Sequence, residues 1–364
     1  MQTLKETGLF ILFTGLLIGC TNPSPSSQDG LIIITDMLGR QVEIPPDVKK
    51  IVGLRAGALR LLVYMDATGM VAGIEEPEKR STSPYMLAHP SLRKLPVIGP
   101  HMGGDAELIM KAAPDVIFIT YTTPGDADAL QQKTGRPVVA LECPEFGTER
   151  EKLFASFRLA GKILNRQERA DSLISYIKNS IEDLDKRSGS IPVVSRPAVY
   201  AGGIPYSGIH GINSTQPYYP PFLFINANNV ASKIDKRLVS HVKGTYIDKE
   251  QLMLWDPDIL FIDESGLELV KRDMKKGSAL FNNLQAVQNN RIYTLLPYNN
   301  YAINYELVLA NAWFAGKILY PDNFSDVETA EKTNEILCAF LGRGIYDDLM
   351  KYSKGFRQID KTEL

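Results

Sequence analysis

A stretch of this chain occurs twice. Asp105, Glu107, Met110, Pro114, Asp115, Phe118 and Ile119 recur as Asp248, Glu250, Met253, Pro257, Asp258, Phe261 and Ile262, each 143 positions later. Register held across such a segment marks one supersecondary unit built twice. Each copy opens with acidic residues suited to the positive end of a helix, breaks at Pro-Asp, and runs into apolar residues suited to a strand buried on both faces. Residues 136–141 and 291–296 supply a further strand pattern in each copy. The chain is therefore read as two similar α/β lobes.

Between the copies lies a helical stretch. Thr148 and Glu151 form a capping-box pattern directly after the breakers Pro144 and Gly147. Leu153, Phe157, Ala160 and Leu164, then Leu173, Ile177, Ile181 and Leu184, recur every third or fourth position and predict one buried stripe. Asn165 to Glu168 repeats the cap, so a short helix precedes a longer one over residues 166–187. At 1.5 Å per residue the longer helix spans roughly 33 Å, enough to act as a spine between the lobes.

Strand patterns alternate with helical ones on either side. A hairpin is expected over residues 32–44, closed by Pro45 and Pro46. Buried strands follow at 51–54, 71–74, 97–99, 116–120 and 138–141, then at 198–201, 259–263 and 292–296. This order argues for mostly parallel sheets with helices on both faces. Helical patterns at 305–318 and 325–341 end the chain, the second opened by a Ser325 to Glu328 cap.

At the other end, Lys5 precedes an apolar run from Gly8 to Ile18, and Leu17-Ile18-Gly19-Cys20 follows. The run is too short for a spanning helix and fits a signal-peptide core. Its ending resembles the lipobox of bacterial lipoproteins, in which the cysteine is acylated, so Cys20 is the expected lipid anchor. The expected organisation is a signal peptide over 1–19, a Pro- and Ser-rich tether over 20–30, an N-terminal lobe over 31–147, a linker-helix region over 148–190 and a C-terminal lobe over 191–364. The net charge of −2 carries no footprint for nucleic acid. Cys143 and Cys338, far apart in the chain, are read as two buried thiols in preference to a disulfide.

Thr35-Asp36-x-x-Gly39-Arg40-x-Val42-x-Ile44-Pro45, the following Ile51-Val52-Gly53-Leu54, the two Glu to Pro-Asp segments and the central spine resemble the periplasmic-binding-protein family that serves ABC importers of vitamin B12, ferric siderophores and haem. The resemblance covers nearly all of the chain beyond the tether. It implies two Rossmann-like lobes joined by one rigid helix, a ligand held in the cleft between them with modest closure, and no catalysis. It also implies a role for the repeated glutamates: Glu107 and Glu250 match the positions that dock on permease arginines. Two carboxylates related by pseudo-symmetry suit a two-fold symmetric partner. The competing reading is that both only stabilise helix N-termini, although Asp105 and Asp248 can do that.

Ligands of open α/β sheets sit beyond the carboxyl ends of strands. The candidate contacts in lobe one are therefore Arg55, His101, Met102 and Tyr121. In lobe two they are Tyr206, His210, Tyr218, Tyr219, Tyr298 and Tyr301. Residues 202–221 are rich in Gly, Tyr and Pro and carry no Asp, Glu, Lys or Arg. Such a stretch can stack on a planar chelate or macrocycle, or can be a surface loop packed on itself. Arg55 can pair with an anionic ligand. The four histidines show no paired spacing that would support a closed zinc site, and whether His101 or His210 touches a metal complex stays open. No nucleophile elbow or phosphate loop is present.

The expected function is that of a monomeric, lipid-anchored solute-binding protein of an ABC importer, without a resident cofactor, carrying an iron(III)-siderophore-type chelate. Haem, a corrinoid, or an oxyanion such as molybdate are alternatives, the last if Arg55 and backbone amides dominate the cleft. A delivery or sensor module, or an enzyme on the same fold, is the reading from a different class.

Overall fold

The computed structural model describes residues 30–240 and 244–364. The signal peptide, Cys20, nearly all of the tether and His241 lie outside the described residues.

Both lobes form around parallel sheets. In the first, Ile51–Leu54 pairs with Val116–Ile119, which pairs with Val138–Ala140. All three strands are buried along their whole length, as continuous apolar runs covered on both faces require. The expected strands at 71–74 and 97–99 reduce to isolated bridges, Ile51 with Val71 and Ile74 with Val97. Pro96 and Pro100 bracket the second of these, and neither can donate to a ladder. In the second lobe Ile292–Leu295, Ile259–Asp263, Ala198–Gly202 and Asn228–Asn229 lie in that order, all parallel.

The repeat does the same work in both lobes. Helix Ala106–Ala112 is capped by the Asp105 carboxylate, and helix Lys249–Trp255 by that of Asp248. Each helix ends on a left-handed residue, Ala113 at φ 49° and Asp256 at φ 38°, ahead of the Pro-Asp break. The aspartate of that break then anchors the neighbouring strand. Asp115 accepts the amides of Lys49 and Lys50, both at 2.8 Å, and Asp258 accepts that of Ala198 at 2.7 Å.

The spine is a helix of 22 residues, Gln167–Ser188, with Ala170, Leu173, Ile174, Ile177 and Leu184 on its buried face. Arg169 ties it to the Tyr64 carbonyl at 2.8 Å, and Ser180 accepts the Trp313 indole at 3.0 Å. The caps read at Thr148, Asn165 and Ser325 are absent. Helix Arg150–Ile163 begins after Glu149 with no side-chain cap, because the Thr148 hydroxyl bonds instead to Glu145, whose carboxylate takes the amides of Gly147 and Thr148. Ser325 likewise follows a short 3-10 turn, and the last long helix, Thr329–Leu341, starts after Glu328.

Helix Tyr305–Leu319 is buried on nearly every face and packs against both Thr329–Leu341 and Pro220–Phe224. The largest apolar cluster runs from Ile51 and Leu59 in one lobe to Phe222 and Phe261 in the other. Both described cysteines are free, but Cys338 is exposed where a buried thiol was expected. Among the described residues no helix is long and apolar enough to cross a membrane.

Candidate functional site

Loops from the carboxyl ends of the two sheets enclose a cavity of about 470 Å³. Tyr121 and Glu145 face it from lobe one, and Tyr206, Gln216, Tyr298 and Asn299 from lobe two. A smaller cavity of about 250 Å³ abuts it through Tyr121, Cys143 and Glu149.

The lobe-two wall is held by hydrogen bonds from its lining side chains. The Tyr298 hydroxyl donates to Gln216 Oε1 at 2.6 Å, the Tyr206 hydroxyl to the Thr215 carbonyl at 2.6 Å, and Asn299 Nδ2 to the Pro205 carbonyl at 2.7 Å. Across the cleft Tyr121 adopts a left-handed backbone at φ 46° and is 57% exposed, an open aromatic surface. Its hydroxyl donates to the Cys143 carbonyl at 3.3 Å, and its own carbonyl accepts the Arg55 guanidinium. Charge on the lining is acidic: Glu145 serves its turn, and Glu149 pairs with Lys152 at 2.6 Å. The Cys143 thiol, buried beside Tyr121, is pushed up to about 12 by desolvation and stays neutral.

The other expected contacts fall elsewhere. His101 and Met102 are exposed and line neither cavity. His210 meets the Tyr246 hydroxyl at 3.0 Å and, with it, props the back of Tyr206, the three rings lying 5.2 to 6.3 Å apart. Tyr218 is half-buried away from the cavity lining. Tyr219 is a correction: it has no exposed surface and packs on Phe222 and Tyr298 at 4.8 and 5.8 Å, so its ring belongs to the core. Tyr301 sits at the seam between lobes, its hydroxyl 3.3 Å from Glu75.

Two residues at that seam escaped the sequence reading. Arg60, 1% exposed, projects from helix Ala58–Tyr64 of lobe one and donates to the carbonyls of Asn300, Tyr301 and Ile303 from lobe two. Glu75, also 1% exposed, joins three loops through its carboxylate. Burial raises its pKa, and its backbone partners Gly103, Arg55 and Gly104 pull it back down. A cation inside the apolar run Leu59-Arg60-Leu61-Leu62 was the one visible signal.

Asp263 closes the strand below this wall. Fully buried, it accepts the Ser265 amide at 2.9 Å on one oxygen and has no partner on the other, and desolvation lifts its pKa from 3.8 to about 7. The folded chain thus holds this proton more tightly than the unfolded chain does. That stabilisation is complete below 3.8 and is lost as pH rises to about 7. Asp263→Asn is expected to flatten the fall in unfolding free energy between pH 5 and 8 by about 2–3 kcal/mol relative to wild type, read from urea midpoints. An unchanged slope would contradict the assignment.

Among the described residues no group of three or more His, Cys, Asp or Glu side chains is placed to hold a metal ion. What the arrangement can do is stack, hydrogen-bond and enclose a solute.

Comparison with known proteins points the same way. The periplasmic binding protein family model matches residues 51–298. The molybdate-binding protein MolA of Haemophilus influenzae is 25% identical over 88% of this chain and 94% of its own length. Its molybdate-bound structure, described as the cognate binding protein of an ABC transporter, superimposes with a TM-score of 0.66 at 22% identity over 86% of this chain and 98% of that one. A periplasmic solute binding protein from Veillonella parvula gives 0.68 at 22% identity, covering 88% and 96%. Helicobacter pylori CeuE with Ni(II) bound gives 0.61 at 14%, covering 88% and 99%. With more than half of its length matched by the family model, this chain belongs to the periplasmic binding protein family, the solute-binding components of ABC importers.

Proposed function

We propose that the protein captures an iron(III) chelate of siderophore type in the interlobe cleft and hands it to the permease of its importer, working as a monomer held at the membrane by a lipid on Cys20. The observation that carries this reading is the lining: tyrosine rings and carboxylates around about 470 Å³, a volume suited to an organic ligand. A tetrahedral oxyanion would fill little of that space. With no cluster of described side chains placed to coordinate a bare ion, a metal would arrive already chelated, and ring faces and carboxylates suit a flat, partly cationic complex.

Molybdate is the second reading, favoured by the similarity to MolA and by Arg55 beside the cleft. Against it, the nearby cations already have partners: Arg55 with the Tyr121 carbonyl, Lys152 with Glu149, and Arg60 with three carbonyls. Haem or a corrinoid loses one candidate axial ligand, since Tyr219 is core.

Docking is proposed at Glu107 and Glu250. Both are exposed, and neither side chain has a hydrogen bond or ion pair within the described residues, because Asp105 and Asp248 take the capping role.

Intrinsic-fluorescence titration of the full-length protein in detergent tests the cleft. The double variant Tyr121→Ala, Tyr206→Ala is expected to weaken chelate binding about 10-fold or more, at about 1 kcal/mol per aromatic contact. An affinity equal to wild type would remove the cleft from the reading.

A further inference from the structure

Three backbone amides from two loops converge on one point at the lobe seam. Arg55 N lies 2.8 Å from Glu75 Oε2, Gly104 N lies 3.0 Å from Glu75 Oε1, and Gly103 N reaches the same Oε1. The Tyr301 hydroxyl adds a fourth donor from lobe two at 3.3 Å. The backbone is bent to aim these groups. Arg55 stands at φ 66°, Gly103 at 106° and Gly104 at 73°, conformations that L side chains rarely adopt. A concavity of successive amides in such conformations binds anions. Every hydrogen-bond partner of the carboxylate is a donor, so the bonds themselves favour the ionised form, against the opposing effect of burial.

We propose that Glu75 is a built-in occupant of an anion cradle, and that it determines specificity by keeping free oxyanions out of the loops around Arg55. These loops hold the backbone amides through which the cleft could otherwise take an oxyanion. With the Glu75 carboxylate seated there, the amides are spent, and a second anion beside it meets a like charge at short range. The side chain is 1% exposed, so solvent does not screen that repulsion. The solute left for the cleft is one recognised by rings and hydroxyls. This inference goes beyond the chelate reading and does not depend on which chelate is bound.

The test is thermal unfolding of the full-length protein, wild type against Glu75→Ala and Glu75→Gln, in formate, acetate, molybdate or chloride at matched ionic strength. Glu75→Ala strands three amides, and its Tm is expected to fall on the order of 10 °C. Formate is expected to restore at least half of that loss with saturation, chloride none of it, and molybdate to raise the Tm of Glu75→Ala but not of wild type. Glu75→Gln, whose amide still fills the cradle, is expected to be less stable than wild type and deaf to every anion. The proposal is overturned if Glu75→Ala responds to formate and molybdate no more than to chloride, or if molybdate stabilises wild type equally. Should Glu75→Ala not fold alone, its refolding yield is measured with and without formate: a higher yield in formate supports the cradle, and an equal yield overturns it. Chelate titrations on the same wild-type samples keep the two readings apart. A missing chelate response sinks the proposed substrate, whereas a missing formate rescue sinks only the cradle.

Discussion

Arg60→Ala is expected to lower the unfolding free energy by about 3–5 kcal/mol, the usual cost of stripping one partner from a buried charged network. The guanidinium is 1% exposed and donates to the carbonyls of Ile303 at 3.0 Å, Asn300 at 3.2 Å and Tyr301 at 2.8 Å, while lying 4.9 Å over the Tyr85 ring. Its positive charge also lowers the pKa of the buried carboxyls Glu78 and Glu306, opposing the larger effect of burial on each. Removing it strands three carbonyls and releases the loop at residues 299–303, where Tyr301 and Ala302 keep left-handed backbones at φ 50° and 65°. The same variant should therefore speed amide exchange in that loop. Arg60→Lys should recover less than half of the loss, because one ammonium cannot replace a planar fork that serves three acceptors. Urea unfolding measures both, and a loss below about 1 kcal/mol would mean the seam is held mainly by apolar packing.

The second large effect concerns transport. Reversing both outer carboxylates, Glu107→Arg with Glu250→Arg, is expected to cut uptake at least about 100-fold in proteoliposomes carrying the permease and ATPase, with cleft affinity unchanged. Each carboxylate lies at i+2 of an aspartate that already caps its helix, so neither is needed for the helix end. Replacing attraction by repulsion at two symmetric contacts costs several kcal/mol in association. If the glutamates served only the helix dipoles, reversal would cost at most about 1 kcal/mol of stability per site and leave transport intact. The two roles therefore separate in one assay.

The repeat made the lobes legible because it is local chemistry repeated. An aspartate cap, a Pro-Asp break and a buried strand each declare themselves within a few residues, and Asp115 and Asp258 perform matching tasks at matching positions. The spine was readable for the same reason, its apolar stripe being a property of one helix. The caps at Thr148 and Ser325 were not, since Glu145 and a 3-10 turn compete for the same groups. Tyrosines in loops could be named as cleft candidates, but burial depends on what lies across the chain. Tyr298 and Tyr219 lie 5.8 Å apart, yet only Tyr298 borders the cavity. Glu75 and Arg60 were hidden because their partners lie up to 243 positions away, beyond any local pattern.

The measurement that bears most directly on the central claim is isothermal titration of the full-length protein, at fixed pH and salt, against ferric siderophores, haemin, cobalamin and molybdate. The expected result is saturable binding of a ferric chelate, weakened by the Tyr121→Ala, Tyr206→Ala pair, with molybdate giving no heat. Tight binding of molybdate with no response to any chelate would contradict the account and return Arg55 and its neighbouring amides to the role of an oxyanion site.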